Sequence, residues 1–200
     1  MALQYWDYNY AQTVYQALLY AGCTDNGAAG IMGNLYAESN ICPFRQQGDN
    51  TPPYSYSLAL TDTFRANNKN YFVYYDGDTG YSLAQWTNYG RRSNYWDFCG
   101  QQGIGDGSLS LQFLIHEIQT DYASCWAVCC DPNKSLLECS NKILFDFESP
   151  ADQGPAVQAL RYSYSAQVYN DFSGLPPAPP YMGVPIWLLF KLKDKNFGFI

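Results

Sequence analysis

The sequence predicts an α+β protein, mainly helical, with one small β-hairpin region between its helices. Apolar residues recur at helical spacing in several separate stretches, the signature of amphipathic helices. Residues 44–80 break that pattern: they are rich in Asn, Asp, Gly, Pro and Tyr, and their best strand, YFVYY, runs into an Asp76-Gly77 turn signal. The chain has 200 residues, 47% apolar and 14% charged. A chain of that size buries roughly 70% of its extended surface, which excludes a disordered or fibrous protein.

The first helix is expected at residues 11–21, where Val14, Leu18 and Ala21 share a face with Ala17, and Gly22 supplies a C-cap. Thr24 or Asp25 caps a second helix that runs to Asn40 and Pro43. Gly27, Gly30 and Gly33 weaken that helix by about 1 kcal/mol each against Ala, so another segment is expected to pack closely on its backbone. After the 44–80 region, residues 82–88 open a helix or turn and residues 94–99 continue helical. Residues 108–120 form an amphipathic helix with Leu111, Leu114, Ile115 and Ile118 inward. Two more helices are expected near 135–147 and 155–172. The expected division is a domain at 1–174, a stiff Pro-rich linker at 175–180 (LPPAPP) and a short C-terminal appendage or docking segment at 181–200.

Composition narrows the function. There are 11 Lys+Arg against 18 Asp+Glu, a net charge of −7, which leaves little with which to build a basic face for nucleic acid. The longest apolar run near the C-terminus, 186–190, is far short of the ~20 residues that span a bilayer. The first ten residues, MALQYWDYNY, hold no positive charge and no long apolar stretch, so they are not expected to act as a secretory signal. The seven Cys form no C-x-x-C, and their odd number and adjacent Cys129-Cys130 pair argue against a disulfide framework; they are expected to be buried thiols. With a single histidine, His116, neither a metal centre, a cofactor nor a Cys–His nucleophile is expected. Aromatics are the outlier at 18%, with 19 Tyr and 5 Trp, and a groove that stacks on sugar rings would use them.

The sharpest chemical feature is Glu38, at the C-terminal end of the Gly-rich helix. The negative helix end, the apolar neighbours Leu35 and Ile41, and nearby aromatics are each expected to favour a protonated carboxyl, the form that can donate to a leaving oxygen. Only four glutamates exist. Glu117 and Glu138 lie on amphipathic helices and read as solvated. Glu148, before Ser149-Pro150, is expected to fix a helix end or an arginine, with Arg91 and Arg92 as candidates for that pairing.

AAGIMGNLYAESN, followed by GYSLAQWTNYGRR, resembles the phage tail lysozyme family of the lysozyme-like superfamily. Glu38-Ser39 is similar to the Glu-Ser signature of goose-type lysozymes and soluble lytic transglycosylases, and Ser82-Leu83-Ala84-Gln85 to their Gly-Leu-Met-Gln motif. SLQFLIHEI and FDFESPADQGPAVQALRYSYSAQVYNDF also fit, so the resemblance covers residues 11–172. Ser82 departs from the family's usual Gly, which calls for ordinary backbone angles or mild strain there.

The resemblance implies a lysozyme-like fold, with a helical lobe and a small β-hairpin lobe flanking a cleft. It implies cleavage of the β-1,4 bond between N-acetylmuramic acid and N-acetylglucosamine in peptidoglycan, with Glu38 as general acid. A second carboxylate is expected from Asp76 or Asp78 in the hairpin, with Asp49 and Asp62 as weaker alternatives. It would activate water or attack directly; otherwise the substrate's own hydroxyl attacks, as in a lytic transglycosylase. Gln85 is expected to orient substrate or water, Ser39, Tyr81 and Thr87 to line the groove, and Trp86 either to stack on sugar or to join the core. Such a protein acts from the virion tail, or as an endolysin released from the host cytoplasm, with tail proteins docking on the C-terminal segment. A tail component that binds glycan without cutting it, and a wall-remodelling enzyme from a prophage or transfer element, are the alternatives.

Overall fold

The computed structural model describes residues 3–77 and 79–179; Asp78, and the appendage expected at 181–200, lie outside the described residues. Nine helices occur among them. The first, α1 (Tyr8–Ala21), begins three residues earlier than the apolar spacing indicated, because Asp7 caps it by accepting from the Tyr10 N–H at 2.9 Å. It ends at Gly22, in the left-handed conformation at φ 115°. Thr24 caps α2 (Asp25–Ser39) through the Gly27 N–H, 3.0 Å away.

Helix α2 is the axis of the fold. Its residues from Gly27 to Leu35 are all buried, since α1, α7 (Ala123–Cys130), α8 (Leu136–Lys142) and α9 (Pro155–Phe172) pack around it. The small residues make this possible. A Cβ on Gly27 would stand 2.6 Å from the Cys129 carbonyl carbon, one on Gly30 2.8 Å from Cys139 Cβ, and one on Gly33 2.6 Å from Ser165 Cα. Each of the three glycines thus seats one neighbouring helix. Gly33→Ala is therefore expected to lower stability by about 1–3 kcal/mol, because backbone of α9 must move to admit a methyl group. Gly90→Ala, in the exposed first turn of the helix Tyr89–Cys99, where the nearest atom outside the helix backbone is Asn88 Oδ1 at 3.4 Å, is expected to be neutral or slightly stabilising. Thermal melts of the two variants check the contrast; equal melting temperatures would refute it.

The expected β-hairpin lobe is not what occupies residues 44–80. Helices α3 (Ser55–Ala66) and α4 (Lys69–Val73) stand there, and the described residues contain only two isolated bridges, Gln46 to Tyr81 and Tyr81 to Trp86. Ser57, Leu60, Thr61 and Phe64 are buried at i, i+3, i+4, i+7, a helical face masked by its hydroxyls. In YFVYY, strand propensity yields to packing: Asn68 caps the turn, and Phe72 is set edge-on to Phe64 with ring centres 4.9 Å apart. With α5 (Tyr89–Cys99) and a 3-10 turn at Gln101–Gly103, these form a second group of helices around an aromatic core. Helix α6 (Gly107–Thr120) joins the groups, touching α5 on one side and α1 and α7 on the other.

Helix α8 runs on into a wide π-turn at Ile143–Glu148, which ends where Ser149 adopts φ 45°. Such turns displace side chains from the regular helical register and recur at functional sites. In the Pro-rich stretch, residues 175–179 have no regular structure, and two hydrogen bonds hold them against α1: Ala178 N–H to Gln16 O, and Gln16 Nε2 to Pro176 O. The seven thiols are free, five of them buried. Among the described residues, no helix is long and apolar enough to cross a membrane, and no group of His, Cys, Asp or Glu is arranged to hold a metal ion.

Candidate active site

Where α2 ends, the loop at 45–50, the segment at 84–91 and the end of the π-turn enclose an open, largely polar cleft of about 470 Å³. Glu38 lies in its wall from the last turn of α2, with its side chain 22% exposed. The chain then turns sharply through two left-handed residues, Asn40 at φ 57° and Ile41 at φ 56°. A β-branched residue is rarely found there, so the turn is strained and the surrounding packing must hold it. Ser39 is buried. Its Oγ donates to the Leu83 carbonyl at 2.7 Å and ties the helix end to the 80–87 loop; it does not line the cleft.

That loop is also strained, with Ser82 at φ 71° and Gln85 at φ 46°. Ser82 accepts the left-handed conformation that glycine would take freely, and its Oγ donates to Pro43 O at 2.6 Å. Gln85 and Thr87 line the cleft. The Gln85 amide nitrogen braces two loops, donating to Arg45 O at 3.0 Å and Ser82 O at 2.8 Å, and Thr87 Oγ1 donates to Gln85 O. Tyr81 and Trp86 turn inward. Tyr81 shares a hydrogen bond with Thr61 at 2.6 Å, and Trp86 stacks on Tyr95 with ring centres 4.5 Å apart, so neither offers a face to a sugar. Asp76 is exposed in a turn and does not line the cleft. Asp49 accepts from the N–H and hydroxyl of Ser57, and Asp62 sits exposed near Arg65, so neither weaker alternative reaches the cleft either.

Glu148 lines the cleft instead, as its second carboxyl group. The expected pairing with Arg91 or Arg92 does not form. Arg91 grips Glu117 with two hydrogen bonds of 2.8 Å and lies 4.7 Å over the Phe147 ring. Arg92 is buried, donating to Tyr75 O and Thr79 O, and loss of solvent pulls its pKa down to about 10. Glu117, expected to be solvated, is 1% exposed and also accepts from Trp86 Nε1 at 2.8 Å. Its helical position gave no hint of this, since both partners come from the 80–92 segment. Glu138 is exposed, as expected, and closes a capping box with Ser135.

Glu38, read from sequence as a dry acid without a partner, is ion-paired to Arg161 of α9, whose other hydrogen bond goes to the Asn34 carbonyl at 2.7 Å. The carboxyl with an unpartnered, buried oxygen is Glu148: the residue is half-buried, and its Oε1 is sealed from solvent with no hydrogen-bond partner. Burial pushes this group well above the ordinary carboxylate range, and the negative charge of Glu38 adds to the effect; Arg91 and Arg161 oppose it. Arg45, which donates to Asp49 O and Asn50 Oδ1, also lines the cleft, with Asn50 and Gln47. None of these three, nor Arg161, was singled out from the sequence; Arg161 lies in the quoted FDFESP…NDF stretch, 123 residues from Glu38.

The central helix thus delivers a carboxylate into a polar cleft, beside a second carboxyl. The chain belongs to the phage tail lysozyme family, whose family model matches residues 9–172. It is thus a phage-associated, lysozyme-like protein with a function directed at glycan. A comparison with curated proteins gave no match.

Proposed function

We propose that this protein is a muramidase-type glycosidase that cleaves the β-1,4 bond between N-acetylmuramic acid and N-acetylglucosamine in peptidoglycan, from a phage tail or as an endolysin. Glu38 is its general acid. The observation that carries this reading is the position of Glu38 in the wall of an open cleft, with the polar groups of Arg45, Asn50, Gln85, Thr87 and Asn88 converging on the same space. Protonation of the glycosidic oxygen by a carboxyl group lets the C1–O bond break with both electrons on oxygen, and a water or a substrate hydroxyl then takes C1. The expected result is release of soluble muropeptides from purified cell walls, detected by mass spectrometry. Reducing ends define hydrolysis and anhydro ends a lytic transglycosylase; release of neither overturns the proposal.

The Glu38–Arg161 ion pair favours one second reading, a tail component that keeps the fold and binds glycan without cutting it. Wall binding without fragment release would distinguish that protein.

A further inference from the structure

Four charged side chains from four helices surround Glu148 of the π-turn: Glu38 from α2 and Arg91 from α5, which line the cleft with it, and Glu117 from α6 and Arg161 from α9 behind them. Tyr122 faces the same group beside Arg91. The pairing among them is uneven. Arg91 is committed to Glu117 by two hydrogen bonds, and Arg161 to Glu38. Two cations and two carboxylates balance, and the third carboxyl is left over. Glu148 is that one, with an oxygen buried and unpartnered at the edge of the cleft. A buried carboxylate oxygen without a partner is costly, and the neutral acid in the same place costs much less.

We propose that Glu148 stores the proton that Glu38 delivers. In the resting site the proton sits on Glu148, and Glu38 rests as a carboxylate against Arg161. Between them the two carboxyl groups then carry one proton. When a glycan strand enters the cleft that both carboxyls line, the proton passes from Glu148 by way of cleft water to Glu38 and on to the glycosidic oxygen as the C1–O bond breaks. The oxygen nucleophile that attacks C1, water or a substrate hydroxyl, gives up one proton, which returns the pair to its singly protonated state. Glu148 is thus a positioning residue that acts through Glu38. The inference rests on the glycosidase reading, and its test separates the two.

The scarcity of glutamate makes the proton directly visible. Labelling the side-chain carboxyl carbon of glutamate with ¹³C gives four NMR signals, from Glu38, Glu117, Glu138 and Glu148. One is expected in the protonated form at pH 6. It should vanish in Glu148→Gln and titrate at lower pH in Glu38→Gln, where the neighbouring negative charge is gone. Four ionised signals at pH 6, or a protonated signal that survives in Glu148→Gln, would overturn the proposal whatever the activity. In kinetics on purified walls, Glu148→Gln keeps the shape of the protonated side chain, so the fold is expected to hold. Its kcat is expected to fall at least tenfold with little change in KM, and the alkaline limb of its pH profile to move to lower pH, because the buried carboxyl that holds the proton at rest is gone. Glu148→Asp, which restores a titratable group, should recover part of the rate. Wild-type kinetics and an unmoved limb in Glu148→Gln, with Glu38→Gln inactive, would sink the store and leave the glycosidase standing. A wild-type protein that releases no muropeptides ends both.

Discussion

Glu38→Gln is expected to lower the rate of muropeptide release by about 10²–10⁴-fold, the usual size of a general acid's contribution. The substitution changes little else. The glutamine oxygen can still accept from Arg161, so the side chain keeps its place in the wall of the cleft. It has no proton to give. The cost to folding is expected to be small, because the ion pair is only partly buried, with the Glu38 side chain 22% exposed, and solvent screens much of it. A melting temperature within a few degrees of wild type, alongside lost activity, would separate chemistry from structure. Wild-type clearance of cell walls by Glu38→Gln would refute the assignment of Glu38 as the acid.

Glu117→Ala is expected to produce the largest loss of stability, about 3–5 kcal/mol, as befits removing one partner of a buried ion pair. Glu117 is 1% exposed and satisfies two groups that have been taken out of water, the Arg91 guanidinium and the Trp86 indole N–H. Truncation leaves both without an acceptor and opens a cavity beside Phe113, which is packed against Trp86. At roughly 2–4 °C per kcal/mol for a chain of this size, the melting temperature should fall by about 10 °C. Glu117→Gln should lose less, since its oxygen can still accept from one partner. Thermal denaturation followed by circular dichroism measures both, and a Glu117→Ala melting point within 2 °C of wild type would show that the triad is not structural. Because Arg91 also lines the cleft, the variant is expected to lose activity as the guanidinium drifts.

Much of the fold was legible in the chain. The order of helices, the caps at Gly22 and Thr24, and the close packing promised by Gly27, Gly30 and Gly33 all follow from local rules about backbone conformation and side-chain size. Helices α3 and α4 were not read, because hydroxyl-bearing residues carry half of the buried face of α3, and YFVYY has the composition of a strand. In the site, Glu38, Gln85 and Thr87 were legible through their motif and do come together at one cleft. Tyr81 and Trp86 belong to the same motif, yet they point into the core: one residue of a tight loop can face solvent while its neighbour faces inward, and the motif does not say which.

By itself, then, the sequence determined a helical protein of a recognisable family, built on a glycine-lined central helix that ends in a carboxylate. Those properties depend on neighbours within a few positions along the chain. Tertiary structure alone decided which charge stands beside which. Arg161 reaches Glu38 from 123 residues away, and Glu117 rather than Glu148 receives Arg91, which leaves Glu148 at the cleft with a buried, unpaired oxygen. A carboxyl group's protonation is governed by burial and by charges a few ångströms off in space, and both are products of packing.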